Sequence, residues 1–70
     1  MKVSIVGITG YVGAELARLL GRRPDVELLE VVGRSAAGQP IGKVFPNLAP
    51  LKLTVAGELE RMTEADVIFL

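Results

Sequence analysis

Apolar residues along the chain fall into short continuous runs and one helical stripe. Val3-Ser4-Ile5-Val6, with Lys2 ahead of it, is apolar at nearly every position, as a strand is in the middle of a parallel sheet covered on both faces. Gly13, Leu16, Ala17 and Leu20 then recur at i, i+3, i+4 and i+7, which predicts a helix from Val12 to about Arg22 with Glu15 and Arg18 on its outer side. Gly21, the pair Arg22-Arg23 and Pro24 stop it, and the two cations read as a solvated helix end. Glu27 to Gly33 reads as a second strand, Leu51 to Val55 alternates as a third, and Asp66 to Leu70 forms a fourth. Between them, Arg34 to about Pro50 is loop-like, and Glu58 to Thr63 has room only for a short helix. The order is β-α-β-loop-β-α-β. With right-handed crossovers it gives strand order 3-2-1-4, the first half of a doubly wound parallel sheet of the α/β class.

The junction of the first strand and the helix carries the chemistry. Gly7-Ile8-Thr9-Gly10-Tyr11-Val12-Gly13 has the spacing GxxGxxG between a strand and a helix, the context in which a glycine motif means a phosphate-binding loop. A helix N-terminus offers unpaired N–H groups and a partial positive charge, and so attracts phosphate. Gly7 lets the chain leave the strand in a tight turn, Gly10 removes a Cβ where a pyrophosphate approaches, and Gly13 lets the helix lie close on the strand. At Gly13 nothing larger than alanine is expected to fit.

Composition narrows the setting. The chain has 70 residues, 50% hydrophobic and 23% charged, with eight basic and eight acidic side chains. That balance fits a folded domain, and zero net charge without a basic run argues against nucleic acid as the main partner. No apolar run approaches a membrane span, and no signal peptide is visible, so a cytoplasmic setting is the default. Cysteine and histidine are both absent, which removes disulfides, thiolate metal sites and the usual general base. A dinucleotide-binding domain of this kind takes about 100–150 residues. Together with the apolar ending Ala65 to Leu70, this makes the expectation the N-terminal piece of a longer enzyme that folds weakly alone.

The tip of the second strand holds the second signal. A site for NAD places Asp or Glu on the ribose hydroxyls about 20 residues after the glycines. Here that place is Gly33-Arg34-Ser35, with no carboxylate, and Glu30 lies too far back to reach a ribose. A guanidinium fork beside a hydroxyl suits the 2′-phosphate of NADP. The competing reading is an ordinary exposed arginine at a strand end.

GITGYVGAELARLL, the link Pro24-Asp25-Val26-Glu27, GRSAAGQ and FPNL together resemble the N-terminus of the N-acetyl-gamma-glutamyl-phosphate reductases, which group with the aspartate-semialdehyde dehydrogenases. The resemblance covers essentially the whole chain. It implies a Rossmann-type domain and NADPH-dependent reduction of an acyl phosphate to an aldehyde in arginine biosynthesis, through a cysteine thioester with a histidine assisting. It also implies a small-molecule substrate, no membrane partner and a homo-oligomeric complete enzyme. The catalytic pair maps to no position here. The resemblance places pyrophosphate contacts on Gly7, Thr9, Gly10, Tyr11, Val12 and Gly13, and the 2′-phosphate on Arg34 and Ser35 within the loop 33–38. Aminoadipyl-phosphate reductases, aspartate-semialdehyde dehydrogenases, and atypical short-chain dehydrogenases with their non-catalytic NADP sensors share parts of the pattern. A folding fragment without activity of its own is a further reading of the isolated chain.

Overall fold

Lys2–Val6 forms β1, the middle strand of a three-stranded parallel sheet in a computed structural model that describes residues 1–70. Glu27–Val32 (β2) pairs on one side of it and Val67–Phe69 (β3) on the other. The first crossover is the helix Tyr11–Leu20 (α1), whose Ala17 is buried while Leu16 and Leu20 pack against the core. Strand, turn and helix thus follow the sequence pattern, with the helix starting one residue earlier and ending at Leu20.

The rest of the chain departs from it. Arg34–Pro50 is not an open loop. It winds through a 3-10 turn (Arg34–Ala36), a single turn of α-helix (Ile41–Val44, α2) and a 3-10 stretch (Pro46–Leu51). Ile41 and Leu48 are fully enclosed, so the segment covers one face of the sheet with almost no regular structure. The third strand expected over Leu51 to Val55 does not form. Lys52 takes a left-handed conformation (φ 54°) at the end of the 3-10 stretch, and this reverses the chain where the alternating pattern required extension. What remains is ribbon-like. Ile41 N–H donates to Leu53, Gly38 N–H to Val55, and Val55 N–H back to Gln39, each at 2.8 Å. On the other side Ala56 N–H donates to Val31 and Gly33 N–H to Ala56, both at 2.9 Å. A parallel bridge from Val32 to Ala56 therefore stands where the third strand would, outside β2, and the order 3-2-1-4 survives with one member reduced to a bridge. The short helix expected over Glu58 to Thr63 is only a 3-10 turn at Met62–Glu64.

Register along β2 carries one irregularity. Val3 pairs with Leu28 but Ser4 pairs with Glu30, so Leu29 has no partner on β1. Such a bulge moves every following side chain to the opposite face. Beside it, Ser4 is fully buried and its hydroxyl finds no hydrogen-bond partner. The main core, Val3, Ile5, Ile8, Ala17, Val31 and their neighbours, lies between the sheet, α1 and the 34–51 segment. No helix is long and apolar enough to cross a membrane.

Candidate functional site at the carboxyl edge of the sheet

The turn between β1 and α1 is built by glycine and held by one carbonyl. Gly7 has φ +86°, a conformation that costs other residues energy, and this swings the chain sharply off the strand. Gly7 N–H and Ile8 N–H both donate to Val32 O at 2.8 Å, so the end of β2 fastens the turn. Ile8 is buried and takes no part in the surface of the turn. Gly10 N–H returns to Gly7 O at 3.0 Å, and Gly10, extended, becomes the N-cap of α1. A Cβ on Gly13 would stand 2.3 Å from Gly7 O, 3.0 Å from Gly7 C and 3.1 Å from Ile8 Cα. The expectation that alanine would fit there is corrected: the helix rests on the turn backbone to backbone. Gly10 differs, because its Cβ would meet only Gly7 O, at 3.3 Å. That single contact is tight but calls for a shift of only a few tenths of an ångström, and the position is exposed.

The opening of α1 is bare. The N–H groups of Thr9, Tyr11, Val12 and Gly13 donate to no acceptor of the chain, no side chain caps the helix, and its first turn contains no acid. A ten-residue helix with its positive end unneutralised by the chain attracts anions to that end. Tyr11 and Val12 project their side chains outward, 86% and 71% exposed.

The tip of β2 arrives beside this turn. Gly33 is buried, and a Cβ on it would meet Ile8 Cγ2 at 2.8 Å and Thr9 Cγ2 at 3.1 Å. Arg34 follows at the start of its 3-10 turn, exposed and engaged in no ion pair or side-chain hydrogen bond. A cavity of about 410 Å³ is lined by Gly7, Thr9, Gly33, Arg34 and Glu58 among others. A second, of about 450 Å³, is lined by Gly7, Gly10, Tyr11, Val12 and Gly13 with Phe69. Val6, Gly7 and Leu70 border both, so the two wrap around the end of β1 as one groove.

Of the residues singled out in the sequence, Gly7, Thr9 and Arg34 meet in the first cavity, and Gly10, Tyr11, Val12 and Gly13 line the second. Ser35 lines neither, although it is exposed on the same 3-10 turn as Arg34. The structure adds Gly57, Glu58 and Leu59 as a wall of the cavity that Arg34 lines. The absence of a carboxylate, expected from the strand tip alone, therefore does not extend to the cavity. The bridge at Ala56 delivers this wall to the same edge of the sheet, a signal hidden from the sequence by the expected helix. The three carboxylates with lowered pKa lie elsewhere. Glu15, Asp25 and Glu64 are each held down by hydrogen bonds from Arg18, Arg23 and Arg61 respectively. No group of acidic side chains is placed to hold a metal ion.

Residues 2–70 match the family described as semialdehyde dehydrogenase, NAD binding domain. The N-acetyl-gamma-glutamyl-phosphate reductase of Polynucleobacter asymbioticus is 46% identical over 99% of the chain. A putative LysW-L-2-aminoadipate/LysW-L-glutamate phosphate reductase of Pyrococcus horikoshii is 47% identical over all of it. The chain spans 20% and 21% of the length of these two relatives. Among solved structures, aspartate semialdehyde dehydrogenase with NADP from Candida albicans superimposes with a TM-score of 0.77 over 96% of this chain and 22% of its own, at 23% identity, a likeness of fold.

Proposed function

Because the chain belongs to the family of semialdehyde dehydrogenase NAD-binding domains, we propose that it supplies the first part of an NADPH site. The complete protein would be a reductase that converts N-acetyl-gamma-glutamyl phosphate to its semialdehyde in arginine biosynthesis. One observation carries the cofactor reading: unclaimed N–H groups at the start of α1 and an unpaired Arg34 border one groove at the carboxyl edge of the sheet.

In this reading the pyrophosphate lies against the N–H groups of Thr9, Tyr11, Val12 and Gly13, with Gly7 and Gly10 leaving room for it. Arg34 and Ser35 take the 2′-phosphate, which carries close to two negative charges. The bound cofactor supplies a hydride to the acyl carbon. Every contribution of this chain is to bind and orient it, since the chain holds neither cysteine nor histidine for covalent or acid–base steps. Those groups belong to the remainder of the reductase. The name of the cofactor bound by the Candida albicans relative supports the choice of NADP. A second substrate reading, the aminoadipyl or glutamyl phosphate of LysW-dependent synthesis, is favoured by the 47% identical relative and uses the same cofactor groove.

Titration of both cofactors into the complete reductase tests the reading. A charged hydrogen bond contributes about 1.5–3 kcal/mol, so Arg34→Ala is expected to weaken NADP about ten- to a hundredfold and to leave NAD within about twofold. Equal losses for the two cofactors would show that Arg34 only supports the fold.

A further inference from the structure

Glu30 lies in the middle of β2, where a carboxylate has no evident reason to be. Without the bulge at Leu29 it would stand opposite Ile5, on the face that holds the main core. With the bulge it stands opposite Ser4, on the other face. There its Oε1 accepts the N–H of Arg61 at 2.7 Å, and both oxygens accept the N–H of Glu60 at 3.2 Å. No other hydrogen bond holds this segment. Between Ala56, tied to Val31 and Gly33, and Arg61, whose carbonyl starts the next 3-10 turn, no backbone hydrogen bond is made. Gly57, Glu58 and Leu59, which line the same cavity as Arg34, lie inside that interval.

We propose that Glu30 is a positioning residue for the adenosine half of the cofactor: its carboxylate anchors the backbone at Glu60 and Arg61 and thereby fixes the Gly57–Leu59 wall at the distance from Arg34 that the 2′-phosphoadenosine group requires. The proposal rests on the reading that this cavity takes the adenosine end. Loop walls of a site are commonly mobile, and ordering one at the moment of binding costs conformational entropy. A carboxylate accepting several backbone N–H groups orders the wall in advance, and so lowers that cost.

Adenosine 2′,5′-bisphosphate, which carries the adenosine half alone, separates the two readings when titrated into the complete reductase. Binding by the wild type that is lost in Arg34→Ala establishes the cavity; no binding, or binding indifferent to Arg34, removes the ground on which the proposal stands. With the cavity established, Glu30→Ala is expected to weaken this probe about tenfold, and in turnover the loss should fall on KM for NADPH rather than on kcat. Glu30→Gln, which keeps an acceptor oxygen, should return affinity to within about threefold of wild type. A purely structural Glu30 would lower the melting temperature of Glu30→Ala and leave probe affinity and KM unchanged, and that result overturns the proposal. Should Glu30→Ala fail to fold, amide exchange of the wild type decides. Glu60 and Arg61 amides protected before the probe is added support an anchored wall, and amides that become protected only on its addition refute it.

Discussion

Replacing Gly13 by alanine adds a single methyl group at the most crowded point of the groove. Its Cβ would lie 2.3 Å from Gly7 O, about 1 Å inside the ordinary contact distance that begins at 3.4 Å. All three nearest neighbours are backbone atoms of Gly7 and Ile8, so no rotamer change can relieve the overlap. The helix must move off the turn instead. Overpacking typically costs about 1–3 kcal/mol, and a rigid backbone neighbour places this case near the upper figure. The same displacement carries the N–H groups of Tyr11, Val12 and Gly13 away from a phosphate by up to about 1 Å, enough to stretch a hydrogen bond of about 2.9 Å beyond its useful range. Loss of one such bond to a charged group, about 1.5–3 kcal/mol, is about ten- to a hundredfold in Kd. Because both cofactors share the pyrophosphate, Gly13→Ala in the complete reductase should weaken NADP and NAD alike, in contrast to Arg34→Ala. Calorimetric titration of each cofactor beside a thermal melt reads both terms. A Gly13→Ala protein with wild-type Kd and wild-type melting temperature would refute the reasoning from contact to affinity.

Ser4→Ala removes a buried hydroxyl that bonds to nothing. An unsatisfied buried polar group costs about 1–3 kcal/mol, so chemical denaturation should show Ala at least as stable as Ser, and a loss above about 1 kcal/mol would mean the hydroxyl has a partner. Lys52→Gly relieves a left-handed conformation worth about 1–2 kcal/mol, offset in part by greater freedom of the unfolded chain, and a small rise in melting temperature is expected. Glu15, Asp25 and Glu64 have folded-state pKa values lowered by hydrogen bonds from Arg18, Arg23 and Arg61. Their contribution is complete above the ordinary carboxylate range and is lost as pH falls through the lowered values. All three pairs face solvent, so melting at neutral pH should change little in about 1 M salt, and a large drop would contradict that placement.

The first half of the site was legible because it is local. Gly7, Gly10 and Gly13 are spaced by the turn and helix they form, and the apolar stripe of α1 follows the helical period whatever lies around it. Arg34 was legible for a related reason, since parallel pairing brings the tip of β2 level with the tip of β1. The middle of the chain was not. Ile41 and Leu48 are buried in the core beside residues distant in sequence, and Pro46 and Pro50 sit within a 3-10 stretch although the segment reads as loop. Leu51 to Val55 has a strand's alternation, but a left-handed Lys52 overrides it, and Leu53 and Val55 find partners in residues 39–41 instead. Glu58 entered the cavity through a single bridge at Ala56, which no spacing announces.

The carbonyl of Val32 accepts from both Gly7 and Ile8, and two residues later the chain reaches Arg34. That shared oxygen acts as a gauge between the two proposed contact points. In a dinucleotide the pyrophosphate and the ribose phosphate are separated by a fixed number of covalent bonds, so a template for it must hold its own two points at a constant interval. If β2 slid along β1, the turn would be dragged with it or both bonds would break together. The strand tip and the helix start therefore travel as one body. The interval along the groove is thus set by the sheet itself, through one carbonyl.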